Sequence, residues 1–340
     1  MTYYDIIENN KKISDVYWWP NFAFHSTDVS NAVNILKTGK LYSRIKAEEN
    51  HLMVNENASR QVIDMTTQQA KSYVRFYFRP LTPTHYYNEG YKHHQIRYDG
   101  AKTANMPVPI FFAFNLEKLM RTEKVLFSNF SQAGLGSVKY AGIENFRQLE
   151  FDKIYKRGPA EDELMKYRHA ELLYPDEYEI RHSLEAILCR NDVEKETLLR
   201  LLYEADLKAY QTYKNRVKIC KQYMFEKNGL FVDDIIFQEN SINIKFADTS
   251  YKRSYERKMM QRNGVDELED VMIAIELCWK NSRETIYTKS FEILLNYTEP
   301  KHLLIKTPTV PRAKSIFIKV LIEGKIIAYV GDFLGSSEII

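Results

Sequence analysis

The chain has 340 residues, of which 44% are hydrophobic and 27% charged, with only 12 Gly and 10 Pro. That excludes collagen-like, mucin-like and wholly disordered chains and leaves room for one large core or two ordinary domains. Lys plus Arg is 48 against 45 for Asp plus Glu, a net charge of +3, so no global field calls for a polyanion partner, although charge can be clustered locally.

Cys189, Cys220 and Cys278 are odd in number and widely spaced. They form neither a disulfide framework nor a CxxC metal knuckle, and suit a reducing cytoplasm. The first residues, Met-Thr-Tyr-Tyr-Asp, lack a basic region followed by an apolar core, and no 18-residue uncharged apolar run occurs. The expectation is a soluble, cytoplasmic protein with no membrane partner.

In chain order, residues 22–25 (Phe-Ala-Phe-His) read as a short strand, after which Ser26, Thr27 and Asp28 supply candidate N-caps. Val29, Ala32, Val33 and Leu36 then recur at helical spacing, and Gly39 is a stop able to take the left-handed conformation. A polar cluster therefore falls where strand meets helix, beside free backbone N–H groups. Residues 44–70 are polar and weakly periodic, a loop with helical pieces. Residues 73–78 alternate, with Val74, Phe76 and Phe78 on one face and Tyr73, Arg75 and Tyr77 on the other. Pro80 and Pro83 end that strand, since proline supplies no ladder donor. Its polar face either sees water or lines a site.

A second apolar strand, residues 109–114, leads to a short helix over 116–121. Residues 129–142 read as an exposed Gly- and Ser-containing loop, 148–157 as mixed, and Gly158-Pro159 as a turn. Residues 161–174 run from acidic to basic and end in a strand, and 178–188 continue the sheet or cross to its neighbour.

From 193 to 227 the period becomes helical, with Leu202, Ala209, Tyr213, Val217, Cys220 and Met224 near one stripe and Gly229 as terminator. This predicted long helix carries Lys208, Lys214, Arg216, Lys218, Lys221 and Lys227, either a solvated face or a phosphate-facing surface. Strands are then predicted at 230–237, 242–246, 271–279, 285–288, 302–306, 315–322 and 325–330, an all-β accessory domain of sandwich type. A basic insert at 251–258 (Tyr-Lys-Arg-Ser-Tyr-Glu-Arg-Lys) interrupts them. Its Lys252 and Arg253, interleaved with tyrosines, suit either base stacking between phosphate contacts or an ordinary exposed helix.

No GxxxxGK[ST], HExxH or GxSxG occurs, and Gly134-Leu135-Gly136 alone is too weak for a dinucleotide fingerprint. His93-His94 has no Cys or carboxylate partner at ligand spacing and reads as an exposed loop pair, so no metal is implied.

Three stretches in fixed order carry more. Phe24-His25-Ser26-Thr27-Asp28 with residues 31–41 resembles the opening of the DarT-type DNA ADP-ribosyltransferases. Residues 73–80, with Arg60 about a dozen residues ahead, resemble that family's aromatic strand and its preceding arginine. Arg168-His169-Ala170-Glu171-Leu172-Leu173 is similar to the segment bearing the catalytic glutamate, so the likeness covers about residues 17–190. Two departures stand out. The family pattern has proline where Arg75 stands, and a Val-Pro-like pair where this chain continues Leu173-Tyr174-Pro175-Asp176.

The resemblance implies an α+β fold of ADP-ribosyltransferase type, with two small facing sheets around an NAD cleft and no metal. It also implies transfer of ADP-ribose from NAD to a base of single-stranded DNA, by a toxin paired with a macrodomain antitoxin, often in phage defence. Modification of RNA, which the Arg75 departure keeps open, and a catalytically silent nucleic-acid-binding protein are the alternatives. By motif match, Glu171 is the catalytic glutamate, Arg60 the catalytic and NAD-contacting arginine, and His25 and Thr27 the nicotinamide-side pair.

The chemistry of those residue types is coherent. A carboxylate stabilises the positive charge that develops at the ribose carbon, or accepts the proton of an attacking base nitrogen. His25 can donate one ring N–H to a ribose hydroxyl while a backbone group fixes its other nitrogen. Thr27 is a ligand or a helix cap, Arg60 offers a donor fork for pyrophosphate, and Tyr73 and Tyr77 form a wall for nicotinamide or a flipped base. Arg75, Arg168, Lys252 and Arg253 are the candidate nucleic-acid contacts. The expected organisation is a transferase domain over 1–192, a long basic connecting helix over 193–228 and the β-rich domain over 229–340.

Overall fold

The computed structural model describes residues 1–56, 60–98, 104–132, 138–158, 161–282 and 284–334, with backbone alone at 60–62. The first part of the chain runs α1 (Tyr3–Ile13), β1 (Phe22–Asp28), α2 (Val29–Thr38), β2 (Lys40–Tyr42), α3 (Arg44–Glu49), α4 (Arg60–Met65), α5 (Gln68–Lys71), β3 (Tyr73–Tyr77) and α6 (Pro83–Asn88). It continues through β4 (Pro109–Asn115), α7 (Leu116–Met120), β5 (Leu126–Ser128), α8 (Ile143–Arg147), α9 (Phe151–Ile154), α10 (Asp162–Tyr167), β6 (Glu171–Pro175), β7 (Glu177–Glu179) and β8 (Leu184–Cys189). Then come α11 (Asp192–Ala205), α12 (Leu207–Tyr213), β9 (Val217–Ile219), β10 (Val232–Gln238), β11 (Ser241–Phe246), α13 (Ser250–Asn263), β12 (Val271–Lys280), β13 (Thr285–Leu295), β14 (Leu303–Lys306), β15 (Ser315–Ile322) and β16 (Lys325–Phe333).

The class is α+β, with a mostly β segment following the mixed first part. Instead of two small facing sheets, however, seven strands hydrogen-bond continuously in the order β5-β6-β3-β1-β4-β8-β9, and β2-β7 form a separate ribbon. The β4 strand explains the continuity. Its run Ile110-Phe111-Phe112-Ala113-Phe114 is buried throughout, so it takes neighbours on both edges and cover on both faces. β3 instead alternates, with Val74 and Phe76 buried and Tyr73, Arg75 and Tyr77 half-buried.

The long basic helix predicted over 193–228 does not form. α11 stops at Ala205, Asp206 turns extended and caps α12 by accepting from Ala209 N at 2.9 Å, and Val217–Ile219 is a strand parallel to β8. The basic residues are thereby scattered, Lys208 on α12 and Lys218 on β9. α11 is a structural strut: its Thr197 hydroxyl and Glu196 carboxylate accept from Tyr329 N and Gly331 N of β16 at 2.8 and 2.9 Å.

In the last part, β10-β11-β14 and β13-β12-β15-β16 form two sheets. Ile242 and Ile244 from the first, Ile273, Ile275 and Ile318 from the second, and Tyr255 and Met259 from α13 belong to one hydrophobic core. β12 shows the period behind this, Val271, Ile273, Ile275, Leu277 and Trp279 buried and Met272 and Glu276 exposed. His93 corrects an expectation, because it is buried at 1% and packs on Tyr297, while His94 alone is exposed. A tight seam joins segments 89–91 and 229–230, with reciprocal Tyr91–Leu230 backbone bonds of 2.9 Å. A Cβ on Gly229 would stand 2.6 Å from the Glu89 carbonyl oxygen, so only glycine fits there.

Candidate active site

A cavity of about 270 Å³ opens against β1 and β3, lined by His25, Thr27, Tyr73, Arg75, Tyr77 and Ser131 among others. β1 extends to Asp28, which settles the helix cap. Asp28 Oδ1 accepts from Ser30 N at 3.1 Å, so Thr27 is not the cap, and its buried side chain lines the cavity. Gly39, at φ 68°, ends α2 in the left-handed conformation expected of it.

His25 Nδ1 lies 3.0 Å from the Arg75 carbonyl. A carbonyl only accepts, so Nδ1 carries the proton and Nε2 of the neutral ring is an acceptor. Burial lowers the pKa of His25 despite that bond, which favours the neutral ring. The ring nitrogen left free of the backbone is therefore an acceptor, where an N–H donor was expected.

Glu171 starts β6, opposite Tyr77 on β3 and Ser128 on β5. Its carboxylate is 1% exposed and sits behind the cavity wall, accepting from Ser131 Oγ at 3.2 Å and Gln132 N at 3.4 Å. Arg75 Nη1 is 3.7 Å away. Burial pushes the Glu171 carboxyl up, against the opposing pulls of Arg75, the Gln132 N–H and Ser131. Burial, with the Glu171 charge beside it, also holds the Tyr77 phenol protonated. The segment around Ser131, expected to be exposed loop, thus supplies two donors to the carboxylate. Only a Ser next to a Gln marks it in the sequence. Gly134-Leu135-Gly136 in the same segment lies outside the described residues.

The helix that carries Arg60, α4, contributes Ile63 to the cavity wall and Thr66 follows just after its end, but the Arg60 side chain lies outside the described residues. Tyr73 lines the cavity, with Lys139 Nζ 5.0 Å from its ring centroid. Asn31, Asn34 and Arg44 are among the lining residues that were not singled out as ligands from sequence. Asn31 holds the segment ahead of α4, its Oδ1 accepting from Val54 N at 2.8 Å and Asn55 N at 3.0 Å, and Asn34 Nδ2 donates to the Leu52 carbonyl at 2.8 Å. Arg44 forks onto Glu56 at 2.8 and 2.9 Å.

The remaining nucleic-acid candidates are not brought to this cavity. Arg168 turns its Nη2 to the Gly158 carbonyl at 2.7 Å. Lys252 is corrected outright: it is 0% exposed, bonded to Glu256 and to the Tyr297 carbonyl, because the period of α13 turns it and Tyr255 into the core. Arg253 is exposed and pairs with Asp248 at 2.6 Å. Among the described residues no cluster of three or more His, Cys, Asp or Glu is placed to hold a metal ion, and no helix is long and apolar enough to cross a membrane.

Burial pushes the Asp28 carboxyl up from 3.8 to about 6. A raised folded value means that stability present below pH 3.8 is lost as pH rises through about 6. Asp28→Asn keeps the cap acceptor and carries no charge to bury. It is expected to be more stable than wild type at pH 8, by up to about 3 kcal/mol, with the gain vanishing at pH 4. Urea unfolding at both pH values checks this, and a variant less stable at pH 8 would refute it.

A histidine acceptor and two tyrosine rings thus line one cleft, with a buried, hydrogen-bonded carboxylate behind its wall. The family model described as the ssDNA thymidine ADP-ribosyltransferase DarT matches residues 24–225. The chain belongs to the DarT family. Among solved structures it is similar to Thermus sp. 2.9 DarT in complex with NAD+, at 18% identity and TM-score 0.44 over 61% of this chain and 98% of that one. The same enzyme in complex with ADP-ribosylated ssDNA gives 18%, 0.45, 61% and 97%. Thermosipho africanus DarTG in complex with ADP-ribose gives 15%, 0.47, 68% and 57%. No curated protein matches the chain.

Proposed function

We propose that this protein transfers ADP-ribose from NAD to a thymidine base in single-stranded DNA. One observation carries the reading: residues far apart in the chain, His25, Thr27, Tyr73, Tyr77 and Arg75, line one cavity, and Glu171 lies behind its wall, 3.7 Å from the Arg75 guanidinium, inside the segment matched by the family model.

The residues fit NAD by their chemistry. The rings of Tyr73 and Tyr77 suit the flat nicotinamide, His25 Nε2 and the Thr27 hydroxyl suit ribose hydroxyls, and Arg60 is the residue proposed for the pyrophosphate. NAD supplies the ribose carbon and a leaving group. Glu171 stabilises positive charge at that carbon and takes the proton from the base nitrogen as the new bond forms. We further propose that the protein is the toxin of a pair whose partner is a macrodomain-type antitoxin, acting in the cytoplasm as an antiviral defence.

The test is incubation of the protein with NAD and oligonucleotides, read by mass spectrometry. An ADP-ribose adduct on thymidine-containing DNA, absent from DNA lacking thymidine, supports the reading. Adducts on RNA alone transfer it to the runner-up substrate, and no adduct on any nucleic acid from folded protein sinks it. Co-expression with a macrodomain hydrolase is expected to relieve toxicity in cells, as a growth assay shows.

A further inference from the structure

Three constraints meet at Arg75. Its carbonyl accepts from His25 Nδ1 at 3.0 Å, its Nη1 lies 3.7 Å from Glu171 Oε1, and its Nη2 leans on the Ala70 carbonyl at 3.5 Å. The guanidinium side chain is 22% exposed, and it faces inward toward a carboxylate that is 1% exposed. The groups set against Glu171 are Arg75 and Tyr77 from β3 and the Ser131 hydroxyl and Gln132 N–H from the segment after β5. Among the described residues, Arg75 is the one cation acting on it. A phosphate contact would need those donors turned outward, whereas here they point at an acid and a carbonyl.

We propose that Arg75 is a positioning residue for the transfer, setting the His25 tautomer through its carbonyl and holding the Glu171 carboxylate ionised and oriented through its guanidinium. The proposal rests on the transferase reading above and deepens it. Its physical basis is the opposition already present at Glu171. Burial favours the neutral acid, which can neither stabilise a cation nor accept a proton, and a guanidinium within about 4 Å favours the charged form. Substituting the side chain leaves the carbonyl and therefore His25 in place, so any loss reports on the guanidinium.

The experiment compares wild type, Arg75→Met and Arg75→Lys by steady-state transfer from NAD to a thymidine-containing oligonucleotide across the acid and neutral range. R75M is expected to lose kcat by up to roughly 10²-fold, as a slight misplacement of a reacting group can cost, with KM for NAD and for DNA little changed. Its acid limb moves to higher pH, because the carboxylate has lost its cation, and R75K moves that limb back. An equal loss at every pH with the limb unmoved makes Arg75 merely structural and overturns the proposal. So does a risen KM for DNA with kcat intact and a shallower salt dependence, the signature of a lost phosphate contact.

A second arm needs no turnover. The Glu171 carboxyl is titrated by NMR in glutamate-labelled wild type and R75M, with Glu171→Gln to assign the signal. Titration at higher pH in R75M supports the pairing even if no protein forms an adduct, in which case it is the transferase reading that fails. Coincident titrations overturn the proposal.

Discussion

Glu171→Gln is expected to lose transfer by roughly 10²- to 10⁴-fold, the range for removing a group that handles a proton in the transition state, while NAD affinity stays near that of wild type. The substitution keeps the shape and an acceptor for Ser131 Oγ, so the wall of the cavity is preserved. The same variant is expected to gain stability at neutral pH. The folded carboxyl is raised above its ordinary value of 4.5 by burial, so the fold favours the neutral acid. That contribution is present at acid pH and lost as pH rises through the raised value. An amide has no charge to bury and avoids the loss, which is how reacting groups commonly trade stability for activity. Calorimetric titration of NAD, mass spectrometry of the oligonucleotide and thermal melts at pH 4 and pH 8 test the three parts. A variant that transfers as wild type does, or that melts lower at pH 8, would remove Glu171 from the role.

Much of this site was legible because its pieces are local. The His25 to Gly39 stretch carries a strand, a cap and a glycine stop in order, and the alternation through Tyr73 and Tyr77 appears as a face. The β-rich part was legible for the same reason, since period two is a nearest-neighbour signal. What was not legible depended on pairing across the chain. The direction of the His25 bond is set by a carbonyl 50 residues away, and the Ser131 and Gln132 donors reach Glu171 from some 40 residues upstream. Lys252 looked like surface because the helix around it is strongly basic, but its place on the core stripe with Tyr255 and Met259 outweighs charge once Glu256 and a carbonyl satisfy the ammonium. The predicted helix over 193–228 failed where one aspartate, Asp206, offered its side chain as a cap and ended it.

Glu89→Ala is expected to be the most damaging single change outside the cavity, costing about 3–5 kcal/mol, as does removing one partner of a buried ion pair. Glu89 is 0% exposed. It accepts from Arg190 Nη1 and Lys227 N at 2.9 Å and from Glu226 N, and His85 Nε2 lies 2.8 Å from its other oxygen. Burial alone would raise its carboxyl, but His85, Arg190 and the Lys227 N–H outweigh that and hold it down at about 2. Its stabilising contribution is therefore complete above the ordinary carboxylate value of 4.5 and is lost as pH falls toward 2. Without it, Glu194 is the one carboxylate left to Arg190 among the described residues, and the Glu226 and Lys227 N–H groups lose their acceptor close to where Gly90 and Gly229 press together. Because His85 lines the cavity, the damage is expected to reach NAD binding as well as folding. Urea unfolding at pH 7 and pH 3 should show a large gap between wild type and E89A that narrows in acid, and calorimetry should show weakened NAD binding in the fraction still folded. Glu89→Gln, which keeps the acceptor for Arg190 but not the charge, is expected to fall between the two. A gap that does not change with pH would mean that the lost packing, and not the buried charge, is what holds the seam.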